Sequence, residues 1–132
     1  MKLASLSSTN LIGLEGTGPT EYNLATLKLW LHDGQKNGTV PGRVVYDHLT
    51  DNKGLANHLG LADLLEIQKK GITIFRRFFA GKAVFGWKSM VQNHNGTIFV
   101  PFLVEYNSSV VVRWRSVHNT WDVNGPALVF PS

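Results

Sequence analysis

The chain has 132 residues, 43% of them hydrophobic with four Trp and seven Phe, which is enough for one buried core and too short for two comfortable domains. It has no cysteine, which excludes a disulfide framework and any thiolate metal site, and no apolar run approaches the roughly 18 residues of a bilayer-spanning helix. The formal charge of +4 hides an asymmetry, since residues 1–68 carry five basic and seven acidic side chains and residues 69–132 carry eight basic and two acidic ones, so a negatively charged partner would meet the C-terminal half.

Residues 1–18 lack a sustained period and end in "GLEGTGP", so they read as an extended N-terminal arm. Within it, "MKLASLSSTNLIGL" turns polar before any apolar stretch reaches signal-peptide length, and no secretion signal is expected. Residues 19–132 read as a single α+β domain with a helical part at 19–71 and a β-meander at 72–132. In "TEYNLATLKLWLHDG", residues 20–34, Thr20 is an N-cap candidate and Leu24, Leu27 and Leu31 recur at helical spacing, which predicts a helix. Pro41 opens a second expected helix, "PGRVVYDHLTD", at residues 41–51. A third covers "NKGLANHL", with Gly60 as a left-handed stop, and "ADLLEIQKK" follows until Gly71.

Beyond Gly71 the pattern predicts strands at 72–79, 84–92, 97–106, 110–117 and 127–130, separated by hairpin-compatible loops. The expected fold is therefore α+β, with N-terminal helices packed on one face of a C-terminal antiparallel meander of four or five strands. Closing the hairpins at "AGKA" and "NHNG" pairs Phe78 with Phe85, Arg76 with Trp87, and Trp87 with Phe102. A three-residue loop at 107–109 then brings Trp114 to Phe102. One face collects the core, including Trp87 and Trp114, with Arg76 stacked on Trp87 at its margin. Side chains alternate along a strand, so Arg77, Lys88, Arg113 and Arg115 fall on the other face with Phe75, Phe79, Met90, Phe99 and Leu103. A two-residue loop at Asn107 and Ser108 would send both β-strand arginines inward, and the price of burying two unpaired charges argues for the longer loop. Pro101 conflicts with a central strand unless a bulge accommodates it.

The cationic and aromatic face carries the most specific chemistry. Arg77, Lys88, Arg113 and Arg115 would hold phosphates and Phe75 and Phe99 would stack bases, as in sheets that bind single-stranded nucleic acid. Against it stands the plainer reading that other chain covers these groups. "GLANHLGLADLLEIQKKG" matches only the first half of a helix-turn-helix, since Glu66 stands where a buried aliphatic belongs. The five histidines have no metal-ligand spacing, and the glycine clusters lack the strand before and the lysine after that a phosphate loop needs. No catalytic residue, cofactor or metal is therefore assigned.

The first functional expectation is a non-catalytic structural, assembly or interaction protein, homo-oligomeric or joined to another protein, of the kind found in viral or phage particles. Its ground is a sheet apolar on both faces with helices for only one. A nucleic-acid-binding protein using the basic and aromatic face is the second, and a small-molecule-binding α+β enzyme with an enclosed pocket is the third. The partners expected are the chain itself, another assembly protein or nucleic acid, with no membrane. Cytoplasm or a virion-like assembly is the expected location.

Overall fold

The first 3.6-period stripe does not become the helix that its leucines predict. The computed structural model describes residues 10–11, 24–51 and 54–131. Of the expected arm, Asn10–Leu11 forms strand β1 and pairs with Gln92 and Val91; the remainder lies outside the described residues. Residues 24–34 break into a 3-10 turn at Leu24–Thr26, strand β2 at Lys28–Trp30 and the start of a one-turn helix α1 at Asp33–Lys36. Leu27, Leu29 and Leu31 also alternate with the period of a strand, and here β2 gains an antiparallel partner in strand β9, Ala127–Val129, with Leu29 opposite Leu128. Strand β3, Val40–Pro41, then leads into helix α2, Gly42–Asp51, which follows the predicted stripe and buries Val45 and Leu49.

The expected third helix is absent from its described part: residues 54–57 are turns, and His58 bridges to Val129. Gly60 has φ −113°, so it ends no helix. It precedes helix α3, Leu61–Gln68, where the Asp63 carboxylate accepts its N–H at 2.8 Å. The largest correction lies at residues 72–79, expected to be a strand and found as helix α4, Ile72–Phe79. In "ITIFRRFF" an alternating reading puts one arginine on each face, whereas a helix segregates buried Phe75 and Phe79 from exposed Arg76 and Arg77. Glycines at φ +90° and +76°, Gly71 and Gly81, flank it, conformations that only glycine adopts without strain. Arg76 consequently does not stack on Trp87. It is paired bidentately with Glu105, Nε to Oε1 at 3.0 Å and Nη2 to Oε2. This holds the Glu105 carboxyl below its usual range and the guanidinium above its own, the shared hydrogen bond being the main cause.

The sheet is mostly antiparallel and, among the described residues, has seven strands. Strand β6, Ile98–Tyr106, is its axis. On one side runs β7, Ser109–Ser116; on the other run β4, Val84–Phe85, and β5, Val91–Gln92. The expected strand 84–92 is thus split by a 3-10 turn at Trp87–Ser89, which shifts the register, so that Phe85 faces Phe102 while Val91 faces Phe99. That interruption also removes the conflict at Pro101. Pro101 lies where the neighbouring strand leaves the ladder, and its carbonyl still accepts the Gly86 N–H at 3.0 Å. The bulge is in the partner, and β6 stays continuous. Strand β9 adds in parallel to β4, and a separate pair joins β3 to β8, Thr120–Trp121.

Asn107 and Ser108 form the two-residue turn that the charge argument had disfavoured, both at positive φ, 49° and 61°, as a type I′ hairpin requires. Trp114 therefore faces Pro101 and Arg113 faces Phe102. The α+β class holds, with the four helices N-terminal to strands β4 to β9, and each sheet face has its own core. On one, α3 and α4 bury Leu64, Ile67, Phe75 and Phe79 against Val84, Leu103, Val110 and Val112. On the other, Val45 and Leu49 of α2 join Phe85, Trp87, Ile98, Val100 and Trp121 of the sheet and β8. Trp87 and Trp114 thus belong to opposite faces, which corrects their expected common direction.

Candidate functional site

The second core covers only part of its face. Along β6 the side chains of Ile98, Val100, Phe102, Val104 and Tyr106 share one side, joined from β7 by Val111, Arg113 and Arg115 through the pairs Val104–Val111, Phe102–Arg113 and Val100–Arg115. Ile98 and Val100 are buried beneath α2 and β8, while Phe102 and Val104 are half-buried and Tyr106 is exposed. The arginines emerge where the cover stops. Arg113, exposed, lies over the Tyr106 ring at 4.8 Å, and half-buried Arg115 lies over the Trp121 ring at 5.3 Å. Arg115 also donates to the Thr120 carbonyl at 2.8 Å. The penalty that argued against this register assumed a closed face; a half-open one leaves the charges hydrated.

At the foot of this trough is a cavity of about 290 Å³, lined among others by Phe85, Phe102, Arg115, Trp121, Asn124 and Lys82. A second cleft of about 420 Å³ shares Gly81, Lys82 and Val104 with it and runs on past Tyr106 to Asn107. Phe85 and Phe102 stack at 4.7 Å, and Trp121, only 2% exposed, is wedged between Phe85 at 5.1 Å and Trp87 at 5.4 Å. The indole N–H of Trp121 is buried without an acceptor. Local sequence fixes the cavity wall from a distance: buried Gln35 of α1 donates to the carbonyls of Asp122 and Gly125 at 2.8 and 3.0 Å. Its own Oε1 accepts the His32 N–H, and the His32 Nδ1 accepts the Gly34 N–H, a reciprocal cap that holds Gln35 in place.

Of the residues expected to form a binding face, the fold brings together Arg113 and Arg115. Arg77 lies on α4 over Phe78, in the helical layer of the opposite face. Lys88 belongs to the 3-10 turn, its N–H bonded to the Leu59 carbonyl. Phe99 has the opposite parity on β6 and pairs with Ser116. Phe75, 1% exposed, has no free ring face on which a base could stack. The sequence reading did not select Phe102, Tyr106, Trp121 or Lys82 for this surface; the signal that could have found the first two was the Asn107–Ser108 turn, which sets the parity of β7 against β6.

A second cluster of rings gathers around Trp30, which packs on the edge of the same core. Trp30 stacks on His48 at 5.8 Å and meets His58 edge-on at 5.7 Å, and His32 stands perpendicular to His48 at 5.2 Å. No group of three or more metal-ligating side chains is gathered among the described residues. His58 is 3% exposed with its Nδ1 unpartnered, and burial pushes its pKa down from 6.5 to about 4. The unfolded chain therefore holds more protons than the folded one between those two values, and stability falls as the pH drops from 6.5 to 4. At about 1.4 kcal/mol per unit, the contribution present above pH 6.5 and gone below pH 4 is about 3 kcal/mol. Urea midpoints measured across that range are expected to decline with acid, and His58→Leu is expected to flatten the decline.

Among the described residues no helix is long and apolar enough to cross a membrane. Comparison of the chain with family models, curated proteins and solved structures finds no match in any of the three.

Proposed function

We propose that the chain is a non-catalytic binding domain that holds single-stranded nucleic acid in the trough of β6 and β7. The observation that carries this reading is the pairing of each β7 arginine with an aromatic plane, Arg113 over Tyr106 and Arg115 over Trp121, beside the stacked Phe85 and Phe102. Trp121 and Phe85 are buried backing, each 2% exposed, while exposed Tyr106, half-buried Phe102 and the two guanidiniums are open to a ligand that alternates phosphates with planar bases. Lys82 on the opposite rim adds a third cation, and the basic excess of residues 69–132 has the same sign. The helices α3 and α4 lie over one sheet face and α2 with β8 over part of the other, so the open surface that remains is the trough with its arginines, which favours a charged ligand there over a second copy of the chain.

Three phosphate contacts to a single strand correspond to a logarithmic salt slope of about −2, or roughly a 20-fold loss of affinity between about 50 and 200 mM salt. Fluorescence anisotropy with a labelled oligonucleotide of mixed sequence reads this directly, and Arg113→Gln is expected to reduce both affinity and slope. No binding at the lower salt, or an Arg113→Gln variant that binds as wild type does, would overturn the reading.

A further inference from the structure

Resting on that reading, we infer that the cavity under Arg115 receives one unstacked base of the strand, so that the trough selects single strands over duplexes by more than charge. Its volume of about 290 Å³ is at the lower limit for ligand pockets and has room for a single ring system. Its walls are flat. Phe102 is half-buried and backed on one side by Phe85, 29° from parallel, and the Arg115 guanidinium supplies a second plane. A planar guest matches both.

The polar lining points to a guest with acceptors on its edge. Arg115, Lys82 and Asn124 line the cavity, all of them side chains that donate hydrogen bonds, and a base brings ring nitrogens and carbonyl oxygens. Lys82 flanks the cavity on the β4 side and Arg113 follows on the β7 side, where the phosphates before and after an extruded base would run. The cleft continuing to Asn107 gives the neighbouring nucleotides a path. A duplex keeps its bases paired and cannot deliver one at this depth without opening.

The test compares a mixed-sequence strand, an abasic strand of equal length, the corresponding duplex and a free nucleoside monophosphate, each binding to the full chain. The base-bearing strand is expected to bind about 10-fold or more tightly than the abasic one, with the duplex no better than the abasic strand and the monophosphate far weaker. Gly125→Ala sets a methyl group 3.2 Å from Phe85 Cε1 and 3.3 Å from Trp121 Cδ1, against the cavity wall. It is expected to reduce the ratio of base-bearing to abasic affinity toward one, and a ratio that stays at the wild-type value in a folded variant overturns the base pocket. Equal binding of abasic and base-bearing strands overturns the base pocket and leaves the polyanion reading standing. Failure of both strands to bind removes that reading itself. A monophosphate that binds as tightly as the strand overturns the strand as occupant.

Discussion

Phe75→Ala is expected to lower folding stability by roughly 3–5 kcal/mol, read as a large fall in the urea midpoint with little change in slope. The ring is 1% exposed, meets Phe79 at 5.5 Å and belongs to the core that α3 and α4 form over Val84, Leu103, Val110 and Val112. Truncation leaves a ring-sized void between a helix and a sheet. The sheet cannot close over it, because β6 and β7 are held by their own ladder, so the cavity adds to the lost transfer free energy. Arg77→Ala, two residues along the same helix and exposed, supplies the control and is expected to stay within about 0.5 kcal/mol. A strand at 72–79 with Phe75 on an open face would reverse this contrast, giving a nearly neutral Phe75→Ala that acts on ligand binding instead.

That contrast also shows where the sequence was legible and where it was not. Helices α2 and α3 have apolar stripes bounded by helix-starting and helix-stopping residues, and β6 and β7 are long runs of β-branched and aromatic residues; local pattern suffices for all four. Residues 72–79 were legible too, but only by asking which period segregates the arginines from the rings. Residues 24–34 were not, because β2 exists through its pairing with β9 a hundred residues away, and three leucines carry no trace of that partner. The candidate site was half readable: alternation makes Arg113 and Arg115 neighbours on one face in any register. Which aromatics accompany them depends on two local irregularities, the Asn107–Ser108 turn and the 3-10 turn after β4, each of which shifts a register by a residue or more. Weighing the cost of burying both arginines gave the wrong turn because it took for granted a complete cover that α2 and β8 do not provide.

Gly42→Ala is expected to be the most damaging single-methyl change, at more than about 3 kcal/mol, beyond the usual range for overpacking. A Cβ at this position would stand 2.2 Å from Trp121 Cζ3 and 2.8 Å from both Trp121 Cε3 and the Val117 carbonyl oxygen. Neither obstacle can retreat. Trp121 is held between Phe85 and Trp87 beneath the Arg115 guanidinium, and the Val117 N–H is bonded to the Ile98 carbonyl at 3.0 Å. Nor can Gly42 move away, since its N–H donates to the Asn119 carbonyl at 2.8 Å while Pro41 before it pairs with Thr120. The gain in helix propensity from glycine to alanine, at most about 1 kcal/mol and less at a first helical position, acts in the opposite direction and is outweighed. Gly38→Ala, where nothing lies within 4 Å of the added carbon, is expected to be close to neutral in the same urea titration. Because the indole displaced by Gly42→Ala also forms the wall of the trough, whatever fraction of the variant still folds is expected to bind oligonucleotide more weakly. A Gly42→Ala protein as stable as the parent would mean that α2 does not close on Trp121, and the half-open face on which the arginines stand would lose its boundary.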